Sequence, residues 1–244
     1  RELNFEVEED IIQLETVVIS ANKNETNRME APVVVHVMTP KLFENTNSVC
    51  LAQGLSFQPG LRVETNCQNC GFQQVRINGL DGPYTQLLLD GKALFSSLNG
   101  VYGIEQIPAG MIERVEVMRG GGSALYGANA IGGTVNIITK EPLNNLFMIS
   151  HNLIAIGNSA YDNTTSLNAS LINGQRNAGL YIFGTSRHRQ HYDHDGDHFS
   201  EIGELKLTTL GFRSYYKPSS QTKLTLEYHN IQEFRRGGNL FSLP

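Results

Sequence analysis

A charged stretch between two predicted strands, RHRQHYDHDGDHFSEIGE, holds the best candidate metal ligands in this 244-residue sequence. Three carboxylates lie within five residues, at Asp193, Asp195 and Asp197. Carboxylate oxygens suit Ca²⁺, but His198 stands where an EF-hand loop has glycine, so an EF-hand is excluded. The interleaved histidines would instead suit zinc, copper or a haem iron. A solvated loop without metal has the same composition, so three interpretations stay open.

A Cys-x-x-Cys motif at Cys67 and Cys70 is the second candidate for chemistry. Such a pair can be a redox centre, half of a zinc site or a local disulfide. No second cysteine pair or nearby histidine completes a zinc tetrahedron, and the strand–motif–helix context of a thioredoxin is missing. The third cysteine is Cys50, and an odd count fits one local disulfide with a spare thiol. Free thiols are the alternative.

The glycine-rich stretch MRGGGSALYGANAIGGTVNIITK could cradle a phosphate, but its spacing is wrong. Gly122 and Gly127 are separated as in a P-loop, yet Ala128 and Asn129 follow where that motif needs lysine and a hydroxyl residue. A dinucleotide site needs spaced glycines that open a helix, whereas the second glycine pair here leads into a strand-like run. These glycines therefore predict tight turns or close backbone approach. The sequence shows no catalytic dyad or triad.

The composition narrows the class of protein. With 40% hydrophobic and 18% charged residues and a formal charge of −5, the chain is neither disordered nor basic enough to favour nucleic acid. No apolar run approaches the ~18 residues of a transmembrane helix. The chain begins in acidic, polar residues without a signal peptide, so we expect that a targeting segment was removed or never existed.

Residues from about 25 to 142 show a mixed pattern of short strands and helical turns. Thr46 or Asn47 is a plausible N-cap for a helix that Gly54 closes. The dipeptide Asp90-Gly91 lies between QLLL and KAL and predicts a tight hairpin. The stretch IEQIPAGMIERVEV predicts a helical turn broken by Pro108, followed by a strand.

From about residue 146 the sequence alternates between apolar and polar residues. We predict five strands, near 146–157, 160–173, 177–188, 201–216 and 222–234. Strands of this kind are typical of a transmembrane β-barrel, although a soluble meander with one wet face alternates in the same way. Because the smallest membrane barrels have about eight strands, we expect either a partial chain or partner material that completes the sheet.

The segment IPAGMIERVEVMRGGGSALYGANAIGGTVNIITK resembles the end of the plug domain of TonB-dependent outer-membrane receptors, in particular those of Bacteroidetes-like bacteria. VRINGLDGPYTQLLLDGKAL is similar to the plug's central strand and hairpin, and RGGGS departs from the Gly-Pro of many members. The resemblance implies an α+β plug domain at 25–142, after an N-terminal segment at 1–24. It implies that residues 146–244 are the first strands of an antiparallel transmembrane β-barrel, about five of an expected 22.

The resemblance implies a function in transport. Members take up a scarce ligand, such as an iron–siderophore, cobalamin or haem, across the outer membrane of a Gram-negative bacterium, and they are not enzymes. The implied partners are the periplasmic TonB protein, outer-membrane lipid, the ligand and, in some systems, a surface lipoprotein; nucleic acid is not among them. The alternatives are a soluble β-rich binding or adhesion module and a passive porin.

The resemblance also assigns roles to two sets of residues. TonB grips a β-prone TonB box, which can add as a strand to a partner sheet. In this sequence the TonB box is Glu15, Thr16, Val17, Val18, Ile19, Ser20 and Ala21. Loops at the outer end of the plug contact the ligand. Their candidate contacts are Asn78, Asp81, Tyr84, Phe95, Asn99 and Tyr102.

Three further expectations follow from the resemblance. An oxidising cell envelope favours a disulfide between Cys67 and Cys70 that clamps a plug loop. Arg76 and Arg114 are expected to pair with inward-facing barrel carboxylates, because a buried charge needs a partner. No cofactor is required, but the three aspartates of the charged loop can hold calcium, as loops of some relatives do.

Overall fold

The computed structural model describes residues 18–19, 26–27, 34–67, 71–94, 99–120 and 123–239. Its first part is an α+β domain, which we call the N-terminal domain (34–142), preceded by two short paired strands. Along the chain the elements are β1 (Val18–Ile19), β2 (Thr26–Asn27), β3 (Val35–Met38), α1 (Pro40–Asn45), α2 (Leu51–Leu55), β4 (Leu61–Cys67), β5 (Phe72–Ile77), β6 (Thr85–Leu89), β7 (Lys92–Ala93), α3 (Asn99–Gln106), β8 (Ile112–Arg119), α4 (Ser123–Tyr126) and β9 (Gly133–Thr139). No helix in these ranges is long and apolar enough to cross a membrane.

The N-terminal domain is built on a mixed sheet of order β3-β8-β9-β6-β7, in which only β6 and β9 pair in parallel. A separate hairpin of β4 and β5 packs beside it. Strand β9 lies between two neighbours and is buried over most of its length, which explains its continuous run of apolar and small residues. The core is formed by fully buried side chains, among them Leu51, Leu55, Ile77, Val115, Val117 and Ile137.

The predicted hairpin at Asp90-Gly91 is confirmed. Asp90 and Gly91 both have positive φ, 48° and 76°, as the two central residues of a type I′ turn require. The short strands β6 and β7 pair on either side of them. Aspartate tolerates this left-handed backbone better than most residues, which explains the Asp-Gly pair.

The predicted helix start at Thr46 or Asn47 is wrong. Thr46 closes the preceding helix α1, where its hydroxyl donates to the carbonyl oxygen of Leu42 at 2.8 Å. The next helix begins at Leu51, and the side chain of Gln53 reaches back to accept the amide N–H of Val49 at 2.8 Å. The proline at the first position of α1 was the missed signal for that helix.

The second part of the chain is a five-stranded antiparallel meander, which we call the strand wall. The strands pair strictly with their chain neighbours, so the sheet order equals the sequence order. The five predicted strands are confirmed, with ends that differ from the prediction by up to five residues. They are β10 (Leu146–Ile156), β11 (Ala160–Ile172), β12 (Ala178–Arg189), β13 (Phe199–Ser219) and β14 (Thr222–Asn239).

The two faces of the strand wall have opposite character. The face turned toward the N-terminal domain is buried and largely polar, with Thr164, Thr185 and Thr209 beside a few apolar side chains such as Phe183 and Leu205. The opposite face is exposed and apolar. Its large side chains include Phe147, Ile149, Leu171, Leu210, Leu226, Tyr228 and Phe234. A soluble meander would bury its apolar face, so this polarity favours a sheet whose outer surface meets lipid.

We predict that Gly133→Ala destabilises the mixed sheet. Gly133 has φ +142°, and a Cβ there would lie 2.2 Å from the carbonyl oxygen of Met118, a backbone atom that cannot move aside. Strain and clash together should cost about 2–4 kcal/mol. Amide hydrogen exchange of β9 in the intact protein would report the loss as faster exchange.

Gly79→Ala is the matched control for this substitution. Gly79 also has positive φ, +82°, but nothing lies within 4 Å of the added Cβ. Backbone strain alone should cost about 1–2 kcal/mol. Equal exchange rates of β9 in the two variants would contradict the clash at Met118.

Candidate functional site

A buried carboxylate on helix α3 links the N-terminal domain to the strand wall. The side chain of Glu105 is 5% exposed, and its Oε2 lies 2.6 Å from Nη2 of Arg235 on β14. Its Oε1 lies 3.4 Å from Nη1 of Arg189 and 3.6 Å from Nη1 of Arg187, both on β12. Three guanidinium groups of the wall thus surround one carboxylate of the domain.

Two carboxylates of the wall complete this cluster. Asp162 accepts from Arg187 in bidentate fashion, with Nη2–Oδ2 at 2.6 Å and Nε–Oδ1 at 3.0 Å. Glu233 accepts from Nε of Arg235 at 3.0 Å and, through its other oxygen, from the side-chain amide of Gln106 at 3.0 Å. Three carboxylates and three guanidinium groups balance to zero net charge, as a buried ionic network needs.

A second ionic contact lies where the chain passes from the domain into the wall. Asp90 of the hairpin turn accepts from the backbone N–H of Thr139 at 2.9 Å and from Nη1 of Arg213 at 2.7 Å. Arg213 also contacts Glu141 at 3.3 Å and Glu227 at 3.2 Å. The type I′ turn therefore places the Asp90 side chain in contact with both the end of β9 and the wall.

A third contact is uncharged. The hydroxyl of Tyr181 on β12 lies 2.6 Å from the carbonyl oxygen of Gly110 and 2.9 Å from Oδ1 of Asn168. A Cβ on Gly110 would lie 2.7 Å from Oδ1 of Asn168, so only glycine allows this close approach. The domain and the wall therefore meet through satisfied polar groups at three levels of the sheet.

The loop between β12 and β13 gathers the predicted metal ligands. Carboxylate oxygens of Asp193, Asp195, Asp197 and Glu201 lie within 4.8 Å of one another. Asp193 accepts from the amides of Gly196 at 2.7 Å and His198 at 2.9 Å, so backbone geometry holds the turn. These hydrogen bonds, the Gly196 amide first, lower the pKa of Asp193 below its usual range. The structure thus adds Glu201 to the three predicted aspartates, and metal binding stays a prediction.

The comparison with known proteins decides the family. Residues 27–134 match the model of the TonB-dependent Receptor Plug Domain. Residues 27–134 belong to the plug-domain family of the TonB-dependent receptors. The N-terminal domain is therefore the plug, and the strand wall is part of the barrel.

Known proteins resemble this chain in sequence over about half of its length and in structure over most of it. The vitamin B12 transporters BtuB of Vibrio vulnificus and Vibrio cholerae are 35% and 31% identical over 127 and 126 residues, or 52% of this chain and 21% of theirs. Among solved structures, the siderophore receptor PirA of Acinetobacter baumannii matches 82% of this chain and 32% of its own, with a TM-score of 0.70 and 22% identity. A ferric enterobactin receptor (PfeA) of Pseudomonas aeruginosa matches 90% and 35%, with a TM-score of 0.67 and 20% identity. The chain matches about a fifth of the length of these curated relatives, and the structural likeness shows the fold.

The plug–barrel ion pairs do not use the predicted arginine Arg76. It pairs with Glu64 and with Asp81, at 2.8 Å from the latter, inside the plug. Arg114 pairs with Glu116 in the same strand, at 2.8 Å. In the ionic contacts described above, barrel arginines approach plug carboxylates, which is the opposite polarity to the predicted pairs of plug arginines with barrel carboxylates. Sequence reasoning missed Glu105 because nothing in its local pattern marks it as buried.

The predicted ligand contacts are partly placed. Asn78, Asp81 and Tyr84 come together at the turn that follows β5, where all three are exposed and Asn78 has φ 52°. Phe95 lies outside the described residues, and Asn99 and Tyr102 are described only as backbone of α3. The ligand site therefore stays a prediction.

The TonB box and the cysteine motif are also described only in part. Val18 and Ile19 form β1 and pair antiparallel with Asn27 and Thr26. The remaining five residues of the box, 15–17 and 20–21, lie outside the described residues. Cys67 ends β4 and Cys70 is not described, so their disulfide stays a prediction.

Cys50 is a free, buried thiol at the plug–barrel junction. Its sulfur lies 3.8 Å from Nη1 of Arg187. Burial raises its pKa despite that guanidinium, so it is a neutral thiol at physiological pH.

We predict that Glu105→Gln weakens plug docking in a pH-dependent way. Burial raises the pKa of Glu105, but the fields of Arg189, Arg235 and Arg187 outweigh it, and the net shift is below the usual 4.5. Removing one partner of a buried ionic network costs about 3–5 kcal/mol. The urea concentration that releases the plug from the intact receptor should therefore fall in the variant.

The pH dependence follows from the direction of that shift. The contribution of a carboxylate with a depressed pKa is complete above its unfolded value, 4.5, and is lost as pH falls through the folded value. The gap between wild type and variant should be constant from pH 7 to about 5 and should close below 4.5. Exposed Glu44 provides the control, since Glu44→Gln should leave the midpoint unchanged. A gap that does not narrow at all as pH falls below 4.5 would contradict the ionic origin.

Proposed function

We propose that this chain is part of an outer-membrane receptor that takes up a scarce metal chelate or cobalamin with energy delivered by TonB. The observation that carries the proposal is the polarity of the strand wall, apolar outside and ion-paired to a plug inside. A plug that fills the lumen must move before a solute can pass, which speaks against a passive porin. A large exposed apolar face speaks against a soluble binding module.

The direction of the strands orients the receptor. The turn at 157–159 and the long loop at 190–198 lie at one end of the wall, and the short turns at 173–177 and 220–221 lie at the other. Outer-membrane barrels carry their longer loops outside and their short turns in the periplasm. In this orientation the acidic loop faces the cell exterior of a Gram-negative bacterium. The junction at Asp90 and Arg213 lies nearer the periplasm.

The coupling to TonB is proposed to use strand addition. Val18 and Ile19 already adopt the extended backbone of a strand, which is the conformation that strand addition to a partner sheet requires. The residues that we assign to this docking segment are 15–21.

We predict that Val18→Pro abolishes uptake and leaves ligand binding intact. Proline removes the backbone donor that strand addition requires. Val18→Ala keeps this N–H and should retain uptake, which makes it the matched control. Growth of cells limited for the ligand, together with binding to purified receptor, separates the two effects. Normal growth with the proline variant would refute this docking segment.

The ligand is proposed to be an iron–siderophore or cobalamin, with haem as a further candidate from the sequence. Solved structures of similar fold include a siderophore receptor and a ferric enterobactin receptor, and proteins of similar sequence are vitamin B12 transporters. The proposed plug contacts are at the exposed turn that bears Asn78, Asp81 and Tyr84, where the tyrosine ring offers a flat surface to a large ligand. Calorimetry of the intact receptor with cobalamin and a panel of ferric siderophores would identify the class.

We further propose that the acidic loop binds calcium and that calcium strengthens ligand binding. Four carboxylates within 4.8 Å repel one another, and a hard divalent cation would relieve the repulsion. A loop that is ordered beforehand loses less entropy when the ligand arrives.

The calcium effect should disappear in Asp193→Asn with Asp195→Asn. The control is Glu204→Gln, because Glu204 lies near the loop but pairs with Lys206 at 2.7 Å. A carboxylate site should persist to about pH 4–5, whereas a histidine site should weaken as pH falls through about 6.5. Measurements of ligand affinity with calcium and with chelator, at several pH values, distinguish the carboxylate site from the histidine site. If chelator does not change the ligand affinity at any pH, the loop binds no metal and both metal hypotheses are refuted.

A further inference from the structure

The barrel wall contains a cluster of guanidinium groups whose charge is balanced partly from the plug. Arg189 and Arg235 flank Leu205 in the strand register, and all three lie at the same level of the wall. Nη1 of Arg189 and Nη2 of Arg235 converge on the Glu105 carboxylate, at 3.4 and 2.6 Å. The basic side of this contact thus belongs to the barrel, and the acidic group that fills it belongs to the plug.

The charge balance of the wall depends on Glu105. Asp162 occupies Nε and Nη2 of Arg187, and Glu233 occupies Nε of Arg235. Within the described part of the chain, the one carboxylate in salt-bridge contact with Arg189 is Glu105. Without Glu105, three guanidinium groups would face two carboxylates, which leaves one positive charge.

The vacated position would suit an oxyanion. Two guanidinium groups that point N–H donors at one spot form the arrangement that binds carboxylate and phosphate oxygens. The cavity beside Glu105, which Cys50, Thr185 and Thr209 help to line, is only about 10 Å³. Since this is about the size of a single water probe, no oxyanion enters while Glu105 is in place.

We propose that Arg189 and Arg235, supported by Arg187, form an oxyanion site on the barrel wall that Glu105 occupies at rest and that an anionic ligand in transit occupies when the plug moves. This inference rests on the proposed transport function and specifies its substrate class, a chelate bearing carboxylate, phosphate or catecholate oxygens. Exchange of one anion for another spares the wall an uncompensated buried charge. By linkage, ligand at this site and displacement of α3 favour one another.

The test uses inorganic phosphate as the probe and the intact receptor in detergent, with isothermal titration at neutral pH and low salt. Wild type should show no binding at millimolar phosphate, which sets a lower limit on its dissociation constant. The dissociation constant of Glu105→Ala should be at least about tenfold below that limit. The double variant Glu105→Ala/Arg189→Ala should lose this binding. Glu105→Ser also vacates the position and should bind phosphate as the alanine variant does, which keeps the test available if Glu105→Ala does not assemble.

Glu141→Ala is the matched control. It also removes a carboxylate that barrel cations hold, but Arg213 keeps Asp90 and Glu227, so no phosphate site should appear. Phosphate binding by wild type as tight as by the variants, or none by folded Glu105 variants, would overturn the site. Binding that survives in the double variant would overturn it as well.

A parallel uptake assay separates this inference from the transport proposal. If cells take up the ligand in a TonB-dependent way but the purified Glu105 variants do not bind phosphate, the oxyanion site is refuted and the transport proposal stands. If these variants bind phosphate but wild-type cells show no TonB-dependent uptake, the oxyanion site is supported and the transport proposal is refuted.

Discussion

The structure depends on the need to neutralise charge at a buried contact between a plug and a barrel wall. A sheet whose outer face is apolar has most of its polar residues inward, so the buried charges among them need partners on whatever fills the inside. Here barrel arginines face inward, and the plug supplies Glu105 and Asp90 to meet them. These two contacts join α3 and the β6–β7 hairpin of the plug to the wall.

The two contacts differ in how their residues are held. Glu105 sits on a short helix and is surrounded by three guanidinium groups, which makes its site rich in donors and easy to refill with another anion. Asp90 is held by a type I′ turn and by two hydrogen bonds from Thr139, so its position is set by the plug itself. The first is suited to exchange of partners, and the second is suited to a permanent anchor near the periplasm.

The sequence predicted the strands of the wall because alternation is a local property. The same holds for the hairpin, which two residues define. Ion partners could not be predicted, since they depend on pairs as distant as Glu105 and Arg235, 130 residues apart. Arg76 was misassigned for a different reason: its partners Glu64 and Asp81 are near in sequence, but the pairing with Glu64 depends on the β4–β5 hairpin. Of the candidate site, the acidic loop was the part that sequence located best, again because its ligands are local.

The strict neighbour pairing of β10 to β14 also bears on the order of folding. The plug reaches its partners on the wall across separations of 71 residues for Gly110 and Tyr181 and 123 for Asp90 and Arg213. The entropy of closing a loop grows only with the logarithm of its length, and neighbouring strands form the most local contacts that a sheet allows. Among the described residues, the contacts between plug and wall therefore add little to the entropy of closing a loop beyond that of the shortest of them. The plug can dock while the strands of this wall pair with their neighbours.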